Sequence, residues 1–596
     1  MFLLRNTPHQ WPNVVRTTIC IAAPAVVGWA LGDLSAGLLA SLGGFTGLFG
    51  GRRPYLNRAR LLFAVAVCMS ICVGLGIWAG ADRWLGVAVV TVIAALATWV
   101  CNAFSIQPGA YQIALACATG TALHAQSADL VQTSLLVLAG GIFACLVQLS
   151  PAVMDRHGPE REAISEAGFA VADFLDALGG PEADLRQHEA AVAMHDAWVR
   201  LVNQQPQRRH PGNGLLRLRE ISRQLQFLLA DGMRRRQPDT ASATKARRLA
   251  GQALRRVAPD TRVVLHALPL GRPSGLEIMR NAVQPSSRSL LVIIRVTVAA
   301  AISGSLGLAL GLTHSYWAIA ASVLVLSQGF DQRRTLQRGL ERTAGTVVGV
   351  GLVAGILTLG PSGPMLIALI SLAVFCGQLM ITRNYVSAAV FITCSALLMS
   401  GAGLPPDDAW ALVWARGVDT ALGCAVAIAV FVLLSRKSPD AWLPTALADT
   451  VDAAATAVDQ LVPATITSWP ALVARRDLQR RVLTLSETYE NAINGFEPQR
   501  MAAERIWPVV VATERLAYRV LAEGWRLQQA VATTRSLQVH SDVSHPPSVG
   551  LRGLAEAIRA GRSTRAVTGD VPSFLSRDVG DLRRISGWES GQALRR

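Results

Sequence analysis

The chain carries one apolar unit twice, and this duplication constrains its fold more than any other feature. Residues 14–60 (VVRTTICIAAPAVVGWALGDLSAGLLASLGGFTGLFGGRRPYLNRAR) align with residues 293–339 (IIRVTVAAAISGSLGLALGLTHSYWAIAASVLVLSQGFDQRRTLQRG). Arg16 falls on Arg295, Leu31-Gly32 on Leu310-Gly311, Arg52-Arg53 on Arg333-Arg334, and Leu56-Asn57-Arg58 on Leu336-Gln337-Arg338, with a drift of two residues. Fixed-spacing self-similarity sets an architecture before local detail does, and repeated helical bundles are a common frame for membrane proteins with a central pathway.

With 51% hydrophobic and 16% charged residues among 596, the chain is too apolar for a soluble protein and long enough for several domains. Stretches able to cross, or nearly cross, a bilayer core of ~30 Å run at 13–31, 35–50, 59–80, 84–101, 108–125 and 130–150. A second set runs at 290–312, 315–329, 342–360, 363–381, 385–403 and 409–434. The expected fold is all-α: two repeated six-helix transmembrane units (1–155 and 285–437), in parallel orientation because each has an even number of spans. Each is followed by a hydrophilic helical block, at 156–284 and 438–596. In these blocks GLLRLREISRQLQFLLADGMRRR (214–236) and RRDLQRRVLTLSETYENAI (475–493) space apolar residues by three and four among charges, predicting amphipathic helices. Pro206, Pro211, Pro238 and Pro259 read as helix breaks, and the Ser/Gly/Arg-rich tail after about 536 as loosely ordered.

The formal charge of +16 is almost all arginine, because Lys245 and Lys437 are the only lysines. Its distribution speaks for topology rather than nucleic-acid binding. Arg52, Arg53, Arg58, Arg60, Arg333, Arg334, Arg338, Arg342, Arg383 and Arg436-Lys437 fall on one side of the spans; Asp33, Asp82 with Arg83, Asp129, Asp407 and Asp408 fall on the other. The positive-inside rule then places both termini and both hydrophilic blocks in the cytoplasm, and the start MFLLRNTPHQWPNVVRTT reads as a cytoplasmic lead without a cleavage pattern. Trp78, Trp84, Trp410 and Trp414 fall where an outer aromatic belt belongs.

Chemistry-bearing motifs are few. All nine cysteines lie in apolar runs with no CxxC or Cys/His cluster, so neither a metal site nor a cofactor is expected. No GxxxxGK[ST], GxSxG or HExxH occurs, which argues against an ATP-driven pump or an enzyme. The informative residues lie in the second unit. Arg416 and Asp419 share a helix face three residues apart inside the last span, where each charge costs roughly 3 kcal/mol unless paired or facing a wet cavity. The first unit has Ala139 and Ile142 at those places. The second span of each unit is short, a pointer to a midplane binding site, which makes Tyr316 and Trp317 candidate cavity residues. The first copy's glycines, Gly37, Gly43, Gly44, Gly47 and Gly50, fit tight helix packing equally well. Arg16 and Arg295, just inside the first spans, either snorkel to the interface or, with Arg333, Arg334, Arg338 and Arg342, form a basic mouth attracting anions.

The runs SYWAIAASVLVLSQGFDQRRTLQRGLERTAGTVVGV (315–350) and ARGVDTALGCAVAIAVFVLL (415–434) resemble the fusaric acid resistance family, also called the aromatic acid exporter family, and more distantly the plant aluminium-activated malate transporters. The resemblance is carried by Trp317, by Arg338, Arg342, Gly345 and Gly349, and by Arg416, Asp419, Thr420 and Gly423. It implies a bacterial inner-membrane, proton-coupled exporter of aromatic or other organic carboxylates, in some members with a periplasmic adaptor. The first unit departs by lacking the Trp and the Arg/Asp pair. On this reading Arg416 binds the carboxylate, Trp317, Tyr316 and Tyr385 face its apolar body, and Asp419 couples a proton. A passive anion channel and a membrane-anchored scaffold acting through the hydrophilic blocks are the alternatives. Partners are then lipid, a small organic anion, an adaptor, and in a homo-oligomer a second copy.

Overall fold

A computed structural model describes residues 11–124, 127–205, 213–233, 235, 237–255, 274–284, 287–312, 315–327, 332–381, 383–401, 406–435, 442–493, 497–533 and 548–585. In chain order the helices are α1 (Trp11–Ala30), α2 (Leu34–Gly44), α3 (Tyr55–Ala79), α4 (Arg83–Ala103), α5 (Tyr111–His124), α6 (Leu130–Leu149), α7 (Pro151–Met154), α8 (Gly158–Ala177), α9 (Ala183–Trp198), α10 (Asn213–Gly232), α11 (Thr240–Leu254) and α12 (Gly275–Ala282). They continue with α13 (Arg288–Ala309), α14 (Tyr316–Leu326), α15 (Gln332–Leu357), α16 (Gly363–Met380), α17 (Tyr385–Ser400), α18 (Pro406–Ser435), α19 (Trp442–Asp459), α20 (Trp469–Ile493), α21 (Glu497–Thr533), α22 (Val549–Arg559) and α23 (Ser576–Ile585). No strand occurs among the described residues.

These helices form two compact units: residues 1–156 with 274–437, and residues 157–273 with 438–596. Among the described residues of the first unit, eight helices are long and apolar enough to cross a membrane. The other four expected spans are shorter, with 11 residues in α2, 14 in α5, 11 in α14 and 16 in α17. At 1.5 Å per residue an 11-residue helix covers roughly half the hydrocarbon core, so the chain around it must be housed by neighbouring helices. The outward faces are apolar: Val27, Phe63, Ile71, Val92, Leu135, Leu146, Val347 and Leu372 are all more than half exposed, the surface expected of helices immersed in lipid. Trp78, Trp84 and Trp414 are also strongly exposed; the side chain of Trp410 lies outside the described residues.

The acids between the early spans have a local function. Asp33, Asp82 and Asp129 are the N-caps of α2, α4 and α6, accepting from the backbone N–H of Ala36, Trp84 and Gln132 at 2.9, 2.8 and 2.7 Å. Each satisfies a donor left over at a helix start and complements the helix dipole.

The packing partners of α1–α6 recur in α13–α18. α1 packs on α2, α3 on α5 and α6, and α2 on α6; α13 packs on α14, α15 on α17 and α18, and α14 on α18. The two halves are also interlocked, with α1 against α16 and α13 against α4. Glycines permit the tight crossings of the first half. A Cβ on Gly43 would sit 1.9 Å from the Val137 carbonyl oxygen, and one on Gly44 would sit 2.3 Å from that of Cys20.

The second unit is a helical assembly with two apolar cores. One gathers Ile164, Val171, Phe174, Leu225 and Leu249 from α8, α10 and α11 with Met194 of α9. The other gathers Leu447, Leu478, Val482, Leu516 and Val520 from α19–α21 with Leu551, Leu554, Val579 and Leu582 from α22 and α23. The amphipathic helices expected at 214–236 and 475–493 are α10 and α20. The expected loose tail needs correction: residues 548–585 fold back into the core, because Leu551, Leu554 and Ile558 form an apolar helix stripe that the surrounding Ser, Gly and Arg conceal in composition. Asp239, after Pro238, caps α11 by accepting from Ser242 N at 3.0 Å; Pro206, Pro211 and Pro259 lie outside the described residues.

Candidate functional site

Four short or glycine-bearing elements place the polar residues of the first unit. α14 begins with Tyr316 and Trp317, whose rings are 5.1 Å apart. α18 runs alongside because Gly423 lets it: a Cβ there would lie 2.2 Å from the Ala318 carbonyl oxygen. This contact brings Arg416, two turns earlier on α18, over Trp317, with the guanidinium carbon 3.3 Å from the ring centroid. A stacked guanidinium is worth roughly 2 kcal/mol where water is excluded, as it is here. Arg416 is 2% exposed and Trp317 5%.

The close approach of α15 and α17 works in the same way. A Cβ on Gly345 would meet Ala389 Cβ at 2.5 Å and the Val386 carbonyl oxygen at 2.7 Å. Asn384 fixes where α17 starts, its side chain accepting from Ser387 N at 3.1 Å, so Tyr385 occupies the first helical position. There it interacts with Arg342, a buried residue of α15. Tyr111, the first residue of α5, interacts with both Arg342 and Arg416. Two guanidiniums, three tyrosines, one tryptophan and the Asp419 carboxylate are therefore joined by a chain of pairwise interactions.

Asp419 departs from the simplest expectation. It is fully buried one turn from Arg416, yet neither carboxylate oxygen has a hydrogen-bond partner. The Arg416–Asp419 ion pair is not formed, because the guanidinium is turned onto Trp317 instead. Arg416 Nε, Trp317 Nε1 and Arg342 Nε are likewise buried without hydrogen-bond partners. The two oxygens of a buried carboxylate without partners are costly in a native core, and this makes the cluster the candidate site.

The remaining candidates are dispersed. Arg295 is buried, with its guanidinium carbon 4.6 Å from the centroid of Phe431. Arg338 is half-buried, as is Arg16, which lies within electrostatic reach of Arg58. The side chains of Arg333 and Arg334 are outside the described residues. Arg295 and Arg342 are thus both buried within the membrane unit. Arg58, read in the sequence as one of the basic loop residues, is buried and donates to Gln148 Oε1 at 2.7 Å, tying α3 to α6. Sequence reasoning missed one residue, Tyr111. Tyr111 brings the first half into the cluster; the signal for it was its place at the start of a short fifth helix, the same place Tyr385 holds in α17.

Residues 299–430, which include α14 to α17, half of α13 and most of α18, match a family model described as fusaric acid resistance protein-like. The chain is also 26% identical over 557 residues to a Bacillus subtilis (strain 168) protein named "Uncharacterized membrane protein YvaC", an alignment covering 87% of this chain and 86% of its relative. No solved structure matches. Trp317, Arg342, Tyr385, Arg416 and Asp419 all lie within the residues that match this fusaric acid resistance protein-like family model, in a chain with several helices able to cross a membrane.

Proposed function

We propose that this protein is a carrier for small organic, chiefly aromatic, carboxylate anions, and that the cluster around Arg416 is its substrate site. The observation that carries the reading is the pairing of a buried guanidinium stacked on Trp317 with a buried, unpartnered Asp419. The face of Arg416 is taken by the indole, and its Nε has no hydrogen-bond partner, which leaves a donor for a carboxylate that enters the site. Tyr111, Tyr316 and Tyr385 supply aromatic surface for the body of the anion. With Arg342 the cluster has an excess of positive charge, which favours one bound anion.

Asp419 gives the site its proton linkage. A substrate carboxylate on Arg416 sits one turn from the Asp419 carboxylate in a poorly solvated interior, where like charges repel. A proton on Asp419 removes that repulsion, so anion and proton bind together. Cargo and proton then move in the same direction, and net export follows when the acid accumulated inside outweighs the inward proton gradient. The two halves are read as parallel repeats, with the arginine-rich loops, the termini and the hydrophilic unit on the cytoplasmic side of a bacterial inner membrane. A periplasmic adaptor fits this arrangement as an outer partner.

The test is uptake of a labelled aromatic acid into vesicles holding purified protein, with and without an imposed pH gradient. Asp419→Asn should keep anion flux and lose its dependence on the gradient. Unchanged gradient dependence would sink the proton linkage, a current reversing at the anion equilibrium potential would make the protein a channel, and flux absent from the intact protein would leave a scaffold.

A further inference from the structure

The first half of the membrane unit holds two basic groups that the cluster around Arg416 does not use. Arg58 of α3 is 2% exposed, and both of its terminal nitrogens go to the neutral Gln148 of α6, one to the side chain at 2.7 Å and one to the backbone carbonyl at 3.4 Å. Gln148 in turn donates to Thr17 Oγ1 of α1 at 3.2 Å. Arg16, the neighbour of Thr17, lies within electrostatic reach of Arg58. Unlike Arg58 it is only half-buried. Its Nε is enclosed without a hydrogen-bond partner, while its two terminal nitrogens stay accessible and make no hydrogen bond or ion pair with the described residues. Three helices thus converge on a pair of like charges, one of them open to a ligand.

No nearby carboxylate offsets the pair. Residues 1–156 contain four acids, Asp33, Asp82, Asp129 and Asp155. The first three cap α2, α4 and α6, which start at the opposite end of the bundle from α1 and α3. Asp155 alone remains for the five arginines Arg16, Arg52, Arg53, Arg58 and Arg60. Positive charge held in an apolar interior without a counter-ion is costly, so this end of the bundle calls for an anion. The surroundings select which anion. Trp11, Val15 and Ile19 form a stripe along α1, each 41–44% exposed, and Arg16 stands beside it. Helix side chains lean towards the N-terminus, so the Arg16 guanidinium is directed to the Trp11 end, where a tryptophan marks the level of the lipid headgroups. A molecule with a negative head and apolar chains satisfies both the charge and the stripe.

We propose that this end of α1, α3 and α6 binds an anionic phospholipid, its phosphate oxygens accepting from the terminal nitrogens of Arg16, with the charge of Arg58 behind them and an acyl chain along Val15 and Ile19. Basic pockets between transmembrane helices hold such headgroups in other membrane proteins. The bound lipid pins α1 to its neighbours, and the site stands whether or not Arg416 binds cargo.

The experiment is titration of phosphatidylglycerol onto delipidated full-length protein in detergent, read by native mass spectrometry. The first lipid should bind wild type several-fold more tightly than phosphatidylcholine does, because choline cancels the phosphate charge. Arg16→Gln should weaken this first site by about tenfold and Arg16→Lys should retain most of it. Arg60→Gln, which removes an exposed charge from the same end, should stay within about twofold of wild type. Excess inorganic phosphate should not displace the lipid. Equal affinity for the two lipids, equal loss in Arg16→Gln and Arg60→Gln, or displacement by inorganic phosphate overturns the proposal. If Arg16→Gln does not fold, Asn13→Asp decides: at an exposed position one turn before Arg16, it supplies an internal counter-charge and should weaken binding by a similar factor, and unchanged affinity there refutes the site.

Discussion

The contact of α14 with α18 can be perturbed by a single methyl group. In Gly423→Ala the new Cβ would lie 2.2 Å from the Ala318 carbonyl oxygen, 2.9 Å from the Ala318 carbonyl carbon and 2.9 Å from Ala321 Cβ. Two of these neighbours are backbone atoms, so no side chain can turn away. Relief to ordinary contact requires the helices to part by roughly an ångström, and overpacking of this kind costs about 1–3 kcal/mol. Arg416 and Asp419 ride on α18, so Arg416 lifts from Trp317 by a similar amount. Displacement of about 1 Å at a binding constellation can cost on the order of 100-fold in turnover. Gly417→Ala is the matched control, because a Cβ there meets nothing within 4 Å on the same helix. Transport by the two variants, normalised to protein inserted in the vesicle, should differ by one to two orders of magnitude, with the Gly417 variant near wild type. Equal transport in the two would refute the argument that this helix contact sets the site.

Two further outcomes follow from buried polar groups. Gln148→Leu removes the acceptor 2.7 Å from Arg58, a residue 2% exposed, and should destabilise the membrane unit by about 2–3 kcal/mol in detergent melts, whereas Gln148→Glu should retain most of the stability; a silent leucine variant would contradict the structural role given to this bond. In the second unit, burial lowers His195 from 6.5 to about 4, with Asp196 partly opposing, and its Nδ1 has no hydrogen-bond partner. A depressed histidine stabilises the fold fully above its unfolded pKa and loses that contribution as pH falls from about 6.5 to 4, up to roughly 3 kcal/mol. Between pH 7 and 4 wild type should therefore lose up to roughly 3 kcal/mol of unfolding free energy relative to His195→Leu in chemical unfolding, and parallel curves would remove His195 as the cause.

The large features were legible because they rest on composition and period. Apolar runs, the recurring arginines and the 3–4 spacing in 214–236 and 475–493 each report a local solvent preference. Arg416, Asp419 and Trp317 stood out because charge and indole are conspicuous in an apolar stretch. What the sequence concealed was pairing. Three residues on a helix suggested that Arg416 would hold Asp419, but the choice between carboxylate and indole depends on the gap that Gly423 opens between two helices distant in the chain. Tyr111 was hidden for the same reason, since a tyrosine opening an apolar segment looks like an interface residue until α5 is seen against α14. The ordered C-terminal helices were obscured by averaging, as three leucine-class positions are outnumbered by polar neighbours.

The interlocking of α1 with α16 and of α13 with α4 has a consequence for biogenesis. When the first six helices have left the ribosome, α1 and α4 each still present a face whose partner has not been made. The first half must wait in the bilayer, with those faces covered only by lipid, while more than a hundred hydrophilic residues are translated. Assembly is then completed by late-arriving helices, and the membrane unit matures as one object only after α16 has inserted. A chain stopped before α13 would be inserted yet unfinished, a natural target for membrane quality control.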